Sequence, residues 1–115
     1  MNTPEYVIVL ITVPDRDLGE IIACYLLEQH LAACVNFIPP VRSHDLWETA
    51  IEDDLELLLE VKTRHSLFNE RLVPAVKALH PYQIPEIIAL PILMGSQSYL
   101  DWIGDMTGSA ESNTG

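Results

Sequence analysis

Residues Ile51 to Thr63 constrain this chain more than any other stretch. Leu55, Leu57, Leu59 and Val61 alternate with Glu56, Leu58, Glu60 and Lys62, and a two-residue period belongs to a β-strand rather than a helix. Extended throughout, the stretch reaches roughly 40 Å at about 3.3 Å per residue. A compact domain of this size has a radius of gyration of about 13 Å, hence a diameter of about 35 Å. A strand that long projects beyond the body that carries it. Phe37 to Trp47 precedes it and supplies the other arm of a hairpin. An apolar overhang with a free edge tends to pair with another chain, so the pattern predicts a homo-oligomer. The alternative is a shorter strand with a frayed tip.

The rest of the chain alternates strand and helix patterns. Tyr6 to Thr12 is a continuous β-rich run, apolar on both faces, as in a central strand covered on both sides. Val13-Pro14-Asp15 stops it. Asp15 is placed to cap a helix, and Asp17 and Glu20 suit its positive end. Leu18, Ile21, Ile22, Tyr25, Leu26 and Gln29 recur at helical spacing, which predicts a helix from about Arg16 to His30. Ala32 to Phe37 reads as the second strand, with Cys34, Asn36 and Ile38 on one face and Val35 and Phe37 on the other. Pro39-Pro40 cannot donate to a ladder, so a bend or bulge is expected before an extended arm resumes at Val41.

A second helix starts near Ser66, with Leu67, Phe68, Leu72, Val73, Val76 and Leu79 as its buried stripe. Pro74 inside it crowds the carbonyl of Glu70 and predicts a kink. Glu86 to Pro91 reads as a short buried strand. Gly95-Ser96 opens a last helix with Tyr99, Leu100, Ile103 and Met106 on one face, ended by Gly108. The order βαββαβ plus a C-terminal helix, with right-handed crossovers, predicts an α+β ferredoxin-like antiparallel sheet with helices on one face. Residues 1–107 form this single domain, and 108–115, small and polar, read as a flexible tail.

Charge and cysteine usage narrow the function. The formal net charge is −11, and only six residues are basic: Arg16, Arg42, Lys62, Arg64, Arg71 and Lys77. They form no stripe, so the footprint of a nucleic-acid binder is missing. The N-terminus lacks the basic region of a signal peptide, and the apolar run after it is too short to span a membrane, which predicts a cytoplasmic protein without a membrane partner. Cys24 and Cys34 make neither a disulfide framework nor a zinc ribbon.

The segment His80-Pro81-Tyr82-Gln83-Ile84-Pro85-Glu86 is the second informative stretch. Each proline biases the residue before it away from α conformation, so His80 ends a helix and Ile84 is already extended. A rigid corner then presents an imidazole, a phenol and a carboxylate, and rigid loops carrying such groups are often functional. A stiff connector with a capping histidine is the plainer reading. No GxSxG, P-loop, GxGxxG or HExxH motif is present, and no activated nucleophile can be assembled, so an enzyme is not expected. Cysteine and histidine together suit copper or zinc. Cys34 and His80 are the candidate ligands, with a third from Glu86, water or another subunit. Cys34 as a buried inert thiol is the competing reading. Trp47 on the projecting arm reads as interface packing. Glu56, Glu60 and Lys62 share one side of their strand as a surface ion-pair set.

Taken together, Thr12-Val13-Pro14-Asp15, Leu31-Ala32-Ala33-Cys34-Val35-Asn36, Trp47-Glu48, Glu56 with Lys62-Thr63, His80-Pro81-Tyr82 through Pro85-Glu86-Ile87, and Tyr99-Leu100-Asp101-Trp102 resemble the CutA divalent-cation tolerance proteins. The resemblance covers Tyr6 to about Thr107. It implies a ferredoxin-like subunit in a tight homotrimer, with the long hairpin pairing across subunits, and a role in tolerance of divalent metals, chiefly copper, with no obligatory cofactor. It carries over Cys34 and His80 for metal and Trp47, Glu56, Lys62, Tyr82 and Glu86 around an inter-subunit cleft. The trimer is also similar to nitrogen-regulatory signalling proteins, so a small-molecule sensor binding an anionic or nucleotide ligand through Lys62 and Tyr82 is the alternative. The chain departs from the family pattern at Ile11, where some members have cysteine, at Pro40, Asp45 and Thr49-Ala50 around the arm, and at Glu60, which replaces an apolar residue.

Overall fold

The two-residue periodicity of the long strand is realised in full. In the computed structural model, which describes residues 5–108, β2 (Cys34–Trp47) and β3 (Ala50–Arg64) form the hairpin. β1 (Tyr6–Val13) pairs with the other side of β3, and β4 (Ile87–Pro91) flanks β1. The sheet order is β2-β3-β1-β4, with every neighbouring pair antiparallel. Helices α1 (Arg16–Glu28), α2 (Val73–Leu79) and α3 (Gln97–Met106) complete a mixed α+β chain. The hairpin overhangs the body: the chain measures 45 × 28 × 25 Å with a radius of gyration of 14.8 Å. Its outer part is bare, with Leu46, Ile51 and Leu55 each at least 68% exposed. The prolines do not end β2. They shift its register between Ile38 and Val41, after which pairing resumes.

Local chemistry explains the helix ends. Asp15 Oδ1 accepts from the Leu18 N–H at 2.9 Å and caps α1. The helix stops at Glu28, short of His30, because His30 adopts left-handed backbone (φ 58°). The His30 N–H returns to the Leu27 carbonyl and the Leu31 N–H to the Leu26 carbonyl, a Schellman closure without its usual glycine. The segment around Pro74 is not a kinked α-helix. A 3₁₀ turn (His65–Leu67) and a widened π turn (Phe68–Leu72) precede α2, and the Val73 N–H reaches the Phe68 carbonyl. The wide turn falls immediately before Pro74, which stands in the first turn of α2, where a missing N–H costs little.

The core lies on one face of the sheet. Val7, Val9, Ile11 and Val13 of β1 and Leu59 and Val61 of β3 pack against Ile22 and Leu26 of α1, Leu72 at the end of the π turn and Val76 of α2. The expected double cover of β1 is absent in the single chain: Ile8 and Leu10, on its second face, are only half-buried. Nor is β4 buried, since as an edge strand it leaves Ile88 49% and Leu90 48% exposed. The α1 stripe is narrower than expected, with Ile21 and Tyr25 in solvent and Gly19 and Ala23 in the core instead.

The helices also do not share one face. By strand alternation Tyr6 and Arg64 belong to the second face, and α3 crosses that end of the sheet. Arg64 fastens it there, donating from Nη2 to the Gly104 carbonyl at 2.6 Å and from Nε to the Thr107 carbonyl and hydroxyl. Among the described residues no helix is long and apolar enough to cross a membrane. Apart from Gly108, the expected tail lies outside the described residues.

Candidate functional site

The corner between α2 and β4 is where the fold gathers its chemistry. His80 closes α2 with extended backbone, as the following proline requires. Its ring is buried, and both nitrogens are engaged. Nε2 lies 2.7 Å from the Thr12 carbonyl oxygen, and Nδ1 lies 3.2 Å from the Tyr82 backbone nitrogen. The carbonyl can only accept and the amide can only donate. The ring is therefore the neutral tautomer with its proton on Nε2. This fixes Tyr82, whose ring packs on the imidazole at 4.6 Å between centroids. The Tyr82 hydroxyl in turn donates to Glu56 Oε2 at 2.7 Å.

Glu56 comes from the inner part of β3 and is only 6% exposed. It stands on the wall of an open groove of about 550 Å³ between the hairpin arm and the corner. Trp47, Asp45, Glu52 and Asp54 come from the arm, and Tyr82 and Glu86 come from the corner. Five carboxylates and two aromatic rings face the groove, and among the described residues no lysine or arginine lines it. The crowding shifts the proton affinity of two of these groups. Burial, the hydrogen bond to Glu56 and the charges of Glu56, Asp54 and Asp45 push the Tyr82 phenol well above the usual phenol range. The Glu86 carboxyl is raised by partial desolvation first, then by the charges of Glu56 and Asp45.

The fold assembles part of the residue set expected from sequence. Trp47, Glu56, Tyr82 and Glu86 share the groove. Lys62 does not: it lies six residues, about 20 Å, further along the same side of β3, hydrogen-bonded to Asn36 and 3.6 Å from Glu60. Cys34 and His80 are not neighbours within one chain. Cys34 is in register with Lys62 and, through it, with Ile8, whereas His80 touches Thr12. That is a separation of two strands, about 10 Å, and four residues, about 13 Å. Among the described residues no group of three histidine, cysteine or acidic side chains lies close enough to hold a metal ion. The acidic side chains that line the groove offer oxygen donors.

Sequence reasoning misses Asp45, Glu52 and Asp54 as groove residues. A signal for them is present: residues 52, 54 and 56 alternate along β3, so all three carboxylates project to one side.

Comparison with known proteins places this arrangement in a family. The family model described as "CutA1 divalent ion tolerance protein" matches residues 7–106. The divalent-cation tolerance protein CutA of Thermus thermophilus is 50% identical over 88% of this chain and 97% of its own length. The chloroplastic protein CutA of Arabidopsis thaliana is 45% identical over 92% of this chain, which covers 58% of that longer protein. Among solved structures, a divalent cation tolerance protein from Thermus thermophilus superposes with a TM-score of 0.86 at 48% identity, covering 90% of this chain and 99% of the other. A CutA described as periplasmic, from Archaeoglobus fulgidus, gives 0.84 at 42% identity over 88% and 97% of the two chains. On this agreement in sequence and fold, the chain belongs to the CutA1 divalent ion tolerance family.

Proposed function

We propose that this chain works as a homotrimeric divalent-cation tolerance protein of ferredoxin-like fold, taking up copper or similar ions at the boundary between subunits. The observation that carries this reading is the acidic groove at the base of a bare apolar arm. The arm leaves Leu46, Ile51 and Leu55 for another chain to cover. The groove beside it concentrates five carboxylates, with no lysine or arginine among the described residues that line it. Family membership and the names of the relatives point the same way. The reading is of a binding protein rather than an enzyme, working in the cytoplasm.

A copper site made from Cys34 and His80 requires donors from two subunits. It also requires His80 Nδ1 to exchange the Tyr82 N–H for metal. Titration of the assembled protein with Cu(II) at neutral pH tests this. Saturable binding that is weakened at least tenfold in Glu56→Gln with Glu86→Gln supports the groove. Binding unchanged in that variant, but lost in Cys34→Ser and His80→Ala, moves the ion to the thiol–imidazole pair. No saturable binding at all contradicts the reading.

A second reading, a small-molecule-sensing signalling trimer, is favoured by the size of the groove and its two aromatic walls. Its ligand is cationic or neutral. The anionic ligand expected at Lys62 and Tyr82 does not suit a groove that Lys62 does not reach and five carboxylates line. Thermal stabilisation by such a ligand without metal supports this reading.

A further inference from the structure

The two sides of the projecting arm treat charge differently. Strand alternation puts Arg42, His44 and Leu46 on one side with their partners Leu55, Asp53 and Ile51. The carboxylate there is balanced. Asp53 takes a two-point bond from Arg42 at 3.0 and 2.7 Å, and His44 lies 3.9 Å away. The other side faces the groove. Register sets it out in rungs, Trp47 with Ala50, Asp45 with Glu52, Ser43 with Asp54 and Val41 with Glu56. Asp45 and Glu52 are direct cross-strand partners, and like charges so placed are destabilising. General acidity of the chain does not account for this side, because the balanced side belongs to the same two strands.

The unbalanced charge is drawn out in a line. Glu52, Asp54 and Glu56 are each two residues apart, about 7 Å, so the row runs for about 13 Å. An aromatic ring stands at each end, Trp47 toward the tip and Tyr82 at the root. Glu56 is only 6% exposed. Tyr82 engages its Oε2, and among the described residues no donor engages its Oε1. A carboxylate this deep calls for one. A compact ion meets a single rung. A thin chain whose ammonium groups are spaced by three or four methylenes meets the rungs in turn, and its ends also find the π faces of the two rings.

We propose that the groove is a site for a linear aliphatic polyamine, which lies along β3 with its ammonium groups at Glu52, Asp54 and Glu56 and its ends against Trp47 and Tyr82. This rests on the second reading above, in which the groove takes a small molecule, and it names the class of that molecule.

Calorimetric titration of the assembled, chelator-treated protein at about 0.15 M salt tests it. The probes are a linear tetraamine, triamine and diamine, a monoamine of comparable length, and tetramethylammonium. The variants are Glu52→Gln with Asp54→Asn, Trp47→Ala, and Glu20→Gln with Glu28→Gln, which removes equal charge from exposed positions on α1. Circular dichroism confirms the fold of each, and the charge variants decide the outcome if Trp47→Ala does not fold. The expected result is saturable binding that tightens several-fold with each added ammonium. It weakens at least tenfold in the groove variants and stays unchanged in the α1 variant. Full affinity in Glu52→Gln with Asp54→Asn, or equal weakening in the α1 variant, overturns the site. Tetramethylammonium or the monoamine binding as tightly as the triamine, with loss in the groove variants, overturns the class and leaves the small-molecule reading standing. Absence of binding by every probe overturns the inference and removes the cationic form of that reading with it.

Discussion

Tyr82 and Glu56 come from opposite walls of one groove, and a 2.7 Å hydrogen bond from the phenol to the carboxylate joins them. The bond ties the α2–β4 corner to the root of the projecting hairpin. It also satisfies a carboxylate that is almost fully buried. Tyr82→Phe strands that carboxylate, and loss of one partner from a buried pair costs about 1–3 kcal/mol. Urea unfolding of Tyr82→Phe, Glu56→Gln and the double variant should show most of the loss in either single variant and little more in the double.

The same bond gives stability an alkaline limb. The folded phenol is held above its usual value by burial and by Glu56, so between about pH 10 and the raised value the unfolded chain loses the proton first. The phenol's contribution is therefore complete below about pH 10 and is lost as pH rises beyond it. Unfolding midpoints measured from about pH 8 to about pH 11 should fall faster in wild type than in Tyr82→Phe.

Glu86 behaves in the same sense at the acid end. Its folded carboxyl is raised by partial desolvation and by Glu56 and Asp45, so its contribution is complete at low pH and is lost as pH rises through the carboxylate range. At neutral pH it is a source of repulsion. Glu86→Gln should raise the thermal midpoint at about pH 7 and narrow its gap to wild type below about pH 4.

Arg64 is the fastening of α3. It holds the Gly104 and Thr107 carbonyls and the Thr107 hydroxyl, pairs with Glu5 at 3.5 Å, and covers the Tyr6 ring. Arg64→Met removes all of the polar contacts at once, and hydrogen bonds to a charged group are worth about 1.5–3 kcal/mol. Amide exchange in residues 97–106 should rise by an order of magnitude or more, while exchange in β1 and β3 stays slow.

The elements are legible wherever one local rule governs the outcome. Alternation from Leu55 to Lys62 specifies β3, its length and its overhang, and Asp15 and Ser96 mark the starts of α1 and α3. Misreadings arise where a local rule meets a second constraint. Pro74 alone predicts a bent α-helix, but a widened turn ahead of it absorbs the lost bond. His30 reads as helical, but it takes the left-handed step that glycine usually makes. Ile88 and Leu90 look buried as apolar residues, yet they lie on an edge that one chain leaves open.

For the site, Tyr82 and Glu86 are legible because the corner carries a local signature, whereas Trp47 and Glu56 are placed at a cleft only by the resemblance to the CutA proteins. The distance between Cys34 and His80 is not legible. It depends on register across three strands, and nothing within either residue's own segment encodes it. The same limit hides the grouping of Lys62 with Asn36, which the pairing of β2 with β3 creates.

The central claim is that one chain is incomplete and that three copies cover what each leaves bare. Sedimentation equilibrium of the wild-type protein, diluted to the low micromolar range without metal, tests it most directly. The account predicts one species at three times the mass of a single chain. A well-folded species at the mass of one chain would contradict it.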